Sequence, residues 1–120
     1  MDADFYNGAK DAPIDKEVVE QLRSEGENLL CDLVDMFIVE VPLQLAKLEE
    51  ALTRRDAGAT RITAHTLKCT GGNFGARRMV ELASALEEKG RNASLDGAFA
   101  ILTQFRAECA RVRQALEAER

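Results

Sequence analysis

The chain is poor in the residues that build sheets and covalent staples. Tryptophan is absent, tyrosine occurs once, and aromatic residues fill 5% of the 120 positions. Strands draw on β-branched and aromatic side chains, so this composition disfavours a sheet protein. Proline occurs only at Pro13 and Pro42, while Ala, Leu, Glu and Arg recur throughout, which favours helices. The three cysteines, Cys31, Cys69 and Cys109, are odd in number and widely spaced. That argues against a disulfide framework and for a reducing compartment. One histidine and no CxxC pair give no Cys/His zinc pattern, so no metal site is expected. No apolar run approaches the roughly 20 residues of a membrane span. The start, Met1, Asp2, Ala3 and Asp4, lacks the basic and apolar regions of a signal peptide. The expectation is a cytoplasmic protein without a membrane segment.

What is present is a foldable, acidic chain. The apolar fraction is 46% and the charged fraction 31%, values of a globular domain long enough to bury one core. The net charge of −5 is unevenly spread. Residues 1–53 carry 13 acids and 4 bases, and residues 81–120 carry 7 acids and 6 bases. Between them, Arg54, Arg55, Arg61, Lys68, Arg77 and Arg78 face only Asp56, the one basic block. An acidic protein without aromatic interleaving does not suit nucleic acid. A local positive patch suits an acidic protein partner or a phosphoryl group.

Hydrophobic spacing predicts an all-α protein, an up-and-down four-helix bundle with a short additional N-terminal helix. Residues 1–13 form a leader and 14–120 the bundle domain. Asp15 is a candidate N-cap for the short helix, with Val18, Val19 and Leu22 on its apolar side. Leu29, Leu33, Phe37, Val41, Leu45, Leu48 and Leu52 make one stripe over residues 27–54, interrupted by Pro42, where a bend is expected. Asp56 caps a third helix running to Gly72 or Phe74. A fourth, over 76–90, turns Met79, Leu82, Ala83 and Leu86 inward and stops at Gly90. Ser94 caps the last, whose stripe is Ala98, Leu102, Phe105, Cys109, Val112 and Leu116. These stripes are consumed by one bundle, which favours a monomer.

His65, the lone histidine, ordinarily would be an incidental surface residue. Its surroundings are more specific. At about 100° per residue, Leu67 and Phe74 point nearly opposite His65, whereas Arg61, Lys68, Cys69 and Gly72 fall within about 60° of it. The imidazole thus faces water between two cations and two small residues. Gly71 and Gly72 sit side by side where each costs about 1 kcal/mol relative to Ala. A helix end or a close approach by another molecule would each explain them. Lys68, three residues after His65, can reach a group attached to the ring.

His65, Leu67 and Lys68, followed by Gly75 and Ala76 and preceded by Ala64, resemble the motif of histidine-containing phosphotransfer (HPt) domains of two-component signalling. The long helix carrying Phe37 and the run Leu82, Leu86, Glu87, Gly90, Arg91 resemble that family's flanking helices, so the likeness spans roughly residues 14 to 118. One position departs: Cys69 stands where the family has glycine, and cysteine is small enough for docking to survive.

The resemblance implies a phosphorelay intermediate. His65 would accept a phosphoryl group from a receiver-domain aspartate and pass it to another receiver, a hybrid sensor kinase being a further partner. A neutral imidazole is a competent nucleophile at cellular pH, since histidine ordinarily titrates near 6.5. Lys68 and Arg61 would offset phosphoryl charge, and Arg61, Lys68, Cys69 and Gly72 would line the docking face. The chain would need no cofactor of its own, the receiver supplying aspartate and Mg²⁺. The absence of a GxxxxGK[ST] loop excludes that route to autonomous kinase activity. Two alternatives stay open: a non-catalytic helical adaptor for receiver or kinase domains, and the histidine-bearing domain of a chemotaxis-type kinase.

Overall fold

The computed structural model describes residues 12–120, so the expected leader lies almost wholly outside the described residues. Five helices and no strand occur among them: α1 (Lys16–Glu25), α2 (Leu29–Thr53), α3 (Ala57–Gly72), α4 (Arg77–Arg91) and α5 (Ala98–Glu119). In the packing, α2 touches α3 and α5, α4 touches α3 and α5, and α1 lies on α2. The contact between α3 and α4 is the most extensive.

Side-chain caps start two helices where the sequence places them. The Asp15 carboxylate accepts the Glu17 N–H at 2.9 Å, and that of Asp56 accepts the Ala59 N–H at 3.0 Å. Each satisfies one of the orphan donors of a first turn. The buried edge of α2 runs through Leu30, Val34, Phe37, Val41, Leu45, Leu48 and Leu52. Leu29 and Leu33, expected on this stripe, are only partly buried. Both sets keep helical spacing from Phe37, so periodicity alone did not separate them. Pro42 is exposed and α2 continues unbroken through it.

Two expected boundaries are corrected. Gly90 does not stop α4, which continues to Arg91. A Cβ at Gly90 would lie 2.7 Å from the Arg61 nitrogen and 2.8 Å from the Ala57 oxygen. Gly90 is therefore the point where the α4 backbone seats on that of α3. Ser94 does not cap α5, which begins at Ala98 after Gly97 without a side-chain cap. Its N–H instead donates to the Lys89 carbonyl at 3.0 Å, closing the end of α4. The intervening residues turn Leu95 into the core.

The ends of α2, α3 and α4 share one hydrogen-bond pattern. After α3, Ala76 N–H donates to Gly71 O at 3.0 Å and Gly75 N–H to Gly72 O at 3.2 Å. This is the Schellman arrangement, with its left-handed residue at Gly75 (φ 62°). Only glycine suits that place, because a Cβ would also lie 2.5 Å from the Asp15 Cβ. Arg55 (φ 55°) and Ala93 (φ 52°) occupy the equivalent positions after α2 and α4. Asp15 N–H donates to Phe74 O at 3.0 Å, tying the start of α1 to this turn. Phe74 itself is buried and meets Phe37 edge-on, ring centroids 5.9 Å apart.

Candidate functional site

The middle of α3 carries opposite faces as the wheel predicts. Ala64 and Leu67 are fully buried, while His65, Arg61, Cys69 and Gly72 are exposed. The two adjacent glycines have separate roles. A Cβ on Gly71 would press to 3.1 Å from Met79 of α4, whereas one on Gly72 would meet nothing within 4 Å. Gly71 thus lets the helices close, and Gly72 keeps the surface beside the histidine open.

Antiparallel packing brings α4 back along α3. Gly71 lies against the Met79 side chain, and Gly90 against the backbone of Ala57 and Arg61. Between these points Glu87 comes opposite His65. The histidine side chain keeps 55% of its exposure, but its Nδ1 lies 2.9 Å from Glu87 Oε2. A carboxylate can only accept, so Nδ1 carries the proton and Nε2 presents its lone pair outward. Cys69 Sγ is 3.7 Å from Nε2, one turn along α3.

Lys68 points to the carboxylate as well. Its ammonium is 2.6 Å from Glu87 Oε1, so in the resting protein Lys68 is paired rather than free beside the ring. Arg91 approaches the oxygen that also holds His65, 3.4 Å from Glu87 Oε2, while also binding Glu88 of its own helix. Glu87 is thus a carboxylate with a side chain only 6% exposed, ringed by His65, Lys68 and Arg91. The hydrogen bond from Lys68 holds its carboxyl below the ordinary glutamate range; burial opposes this and the bond to His65 adds to it.

Of the sequence-derived candidates, the structure gathers His65, Lys68, Cys69 and Gly72 on one exposed face, with Arg61 one turn before the histidine. Glu87 was missed as a site residue, although it stood within the run of α4 residues already singled out. Which face of α4 it occupies depends on the register of two helices, and no local spacing reports that. Among the described residues, no group of three or more His, Cys, Asp or Glu side chains is placed to hold a metal ion.

The Hpt domain family model matches residues 32–115, most of the chain and all of this site. The chain belongs to the Hpt family. It is similar to histidine-containing phosphotransfer protein B (HptB) from Pseudomonas aeruginosa PAO1, whose crystal structure superposes with a TM-score of 0.84 at 32% identity. The likeness covers 89% of this chain and 93% of that one. Comparison with curated proteins finds no significant match. Membership of the Hpt family gives the chain a histidine phosphotransfer role in two-component phosphorelay, a role that engages response-regulator receiver domains. No helix among the described residues is long and apolar enough to cross a membrane.

Proposed function

We propose that this Hpt protein carries its phosphoryl group on Nε2 of His65, taking it from a receiver aspartyl phosphate and delivering it to a second receiver. One observation carries the reading: a buried carboxylate holds Nδ1 of a histidine whose side chain stays more than half exposed. In the first transfer, the Nε2 lone pair attacks phosphorus, the P–O bond to the aspartate breaks, and the carboxylate leaves with its electron pair. Positive charge develops on the ring, and Glu87 offsets it through the Nδ1–H bond. Lys68 then turns from Glu87 to the phosphoryl oxygens, and Arg61 adds charge from the turn before. The receiver contributes its own aspartate and Mg²⁺, so this chain supplies a positioned nucleophile and a docking face.

That face is centred on Arg61, Lys68, Cys69 and Gly72. Ile62, one turn before His65, is 59% exposed, and Met36, 58% exposed, lines a cleft with Thr70 and Asn73. A receiver would cover both apolar side chains. The ring of contacts through α2, α3, α4 and α5 supports an up-and-down bundle, with α1 as the added helix.

Incubation with a phosphorylated receiver tests the reading. The expected result is an acid-labile, base-stable label on the wild type and none on His65→Gln. Binding without label would make the protein an adaptor, and label persisting in His65→Gln would move the site elsewhere.

A further inference from the structure

Arg91 has no part in the transfer described above, yet it stands where that transfer creates a need. Glu87 keeps its charge with almost no water, and in the resting protein its closest cation is Lys68, at 2.6 Å. A phosphoryl group on Nε2 competes for the same ammonium. Lys68 is on the same helix, three residues from His65, and its side chain is 31% exposed, so it can turn outward. When it does, a buried carboxylate loses its main partner, a costly state for any protein.

We propose that Arg91 is a standby cation: as Lys68 moves to the phosphoryl group, Arg91 leaves Glu88 and closes on Glu87, keeping that carboxylate charged and bonded to Nδ1. This rests on His65 being the phosphorylated residue. The geometry favours the exchange. Arg91 Nη2 is already 3.4 Å from Glu87 Oε2, so shortening to a charge-assisted hydrogen bond of about 2.8 Å is a small movement. Its present partner, Glu88, is 58% exposed and loses little when released, because water solvates it. Glu87 therefore exchanges one cation for another. Arg91 acts as a positioning residue, through Glu87, and touches neither the phosphoryl group nor the receiver.

Phosphoramidate tests this without a receiver. Its P–N bond breaks, ammonia departs, and the Nε2–P bond forms; added ammonia makes the reaction reversible. The ratio of phosphorylated to free His65, read by ³¹P NMR, reports how well the site holds the group. Arg91→Gln is expected to lower this ratio about two- to fivefold, the span of a partly exposed ion pair. Arg91→Lys restores most of it, and Glu88→Gln raises it by freeing Arg91. In a Lys68→Ala background, Arg91→Gln has no effect, because no ammonium is left to release. An equal fall in that background would reduce Arg91 to general electrostatics and overturn the proposal, as would an unchanged ratio or a lower one in Glu88→Gln. Thermal unfolding of each variant shows that folded proteins are compared. Failure of receiver transfer would strike the relay reading alone, since phosphoramidate labelling does not depend on it.

Discussion

At the scale of single residues, the site separates groups that the sequence presents as equals. The three cysteines differ in chemistry. Burial, aided by nearby Glu108, pushes the Cys109 thiol up to about 12, whereas Cys31 and Cys69 are exposed. Thiolate is the reactive form, so iodoacetamide at pH 8 is expected to modify two cysteines in the native protein and all three after unfolding, counted by mass spectrometry. Modification at Cys69 places bulk 3.7 Å from the position of Nε2 and is expected to block phosphorylation. Gly72→Arg and Phe74→Ala form a second contrast. The first meets open space, so it is expected to leave the unfolding midpoint near wild type while stopping receiver transfer. The second empties a buried ring site and is expected to cost about 3–5 kcal/mol in urea unfolding. The wheel alone identified His65 as outward and Leu67 as inward, because rotation per residue is a local property, whereas Phe74 lies past the helix end and is turned inward by the closing turn. It could not show that Lys68 rests on Glu87, because that pair joins two helices.

At the scale of elements, existence and type were legible and endings were less so. Caps at Asp15 and Asp56 are written in one residue and its neighbours. The Gly90 and Ser94 expectations failed because glycine and serine each serve two purposes. Gly90 makes a close approach instead of a stop, and Ser94 closes one helix instead of opening the next. Opposite substitutions follow. Ala93 holds a left-handed conformation that costs a residue with a Cβ roughly 1 kcal/mol, so Ala93→Gly is expected to stabilise the fold by up to about 1 kcal/mol. Gly90→Ala puts a methyl group onto the backbone of α3 and is expected to destabilise it by about 1–3 kcal/mol. Because Glu87 lies one turn from Gly90, the same variant is also expected to slow phosphorylation of His65. Urea midpoints and labelling rates check the pair.

At the scale of the whole molecule, hydrophobic spacing made the all-helical class readable and the motif pointed to the family, while the pairing across helices needed coordinates. Charge is organised at this level. The basic block seen in the sequence divides, with Lys68 turned to a buried acid and Arg61 exposed on the histidine face. This division has a pH signature. The Glu87 carboxyl titrates below its unfolded value, so its ionised form stabilises the fold above the ordinary glutamate range near 4.3. That stabilisation is lost as pH falls through the lowered value. Glu87→Gln is therefore expected to cost about 1–3 kcal/mol near neutrality. The difference from wild type in urea midpoint is expected to shrink as the pH drops below about 4. A gap that stays constant with pH would mean that the charge on Glu87 contributes nothing.

The two glycine seats, Gly71 on Met79 and Gly90 on Arg61, bear on how the chain can change length. An inserted or deleted residue turns everything beyond it by about 100°. Placed between the seats, in residues 61–71 or 79–90, a single insertion would carry His65 and Glu87 to different faces with both residues still present. Such a protein would keep its motif and lose its chemistry. The connections at 54–56 and 92–97 lie outside the seats, so a residue added there is expected to leave the aim of the imidazole unchanged, provided that Asp56, Ser94 and Leu95 keep their places.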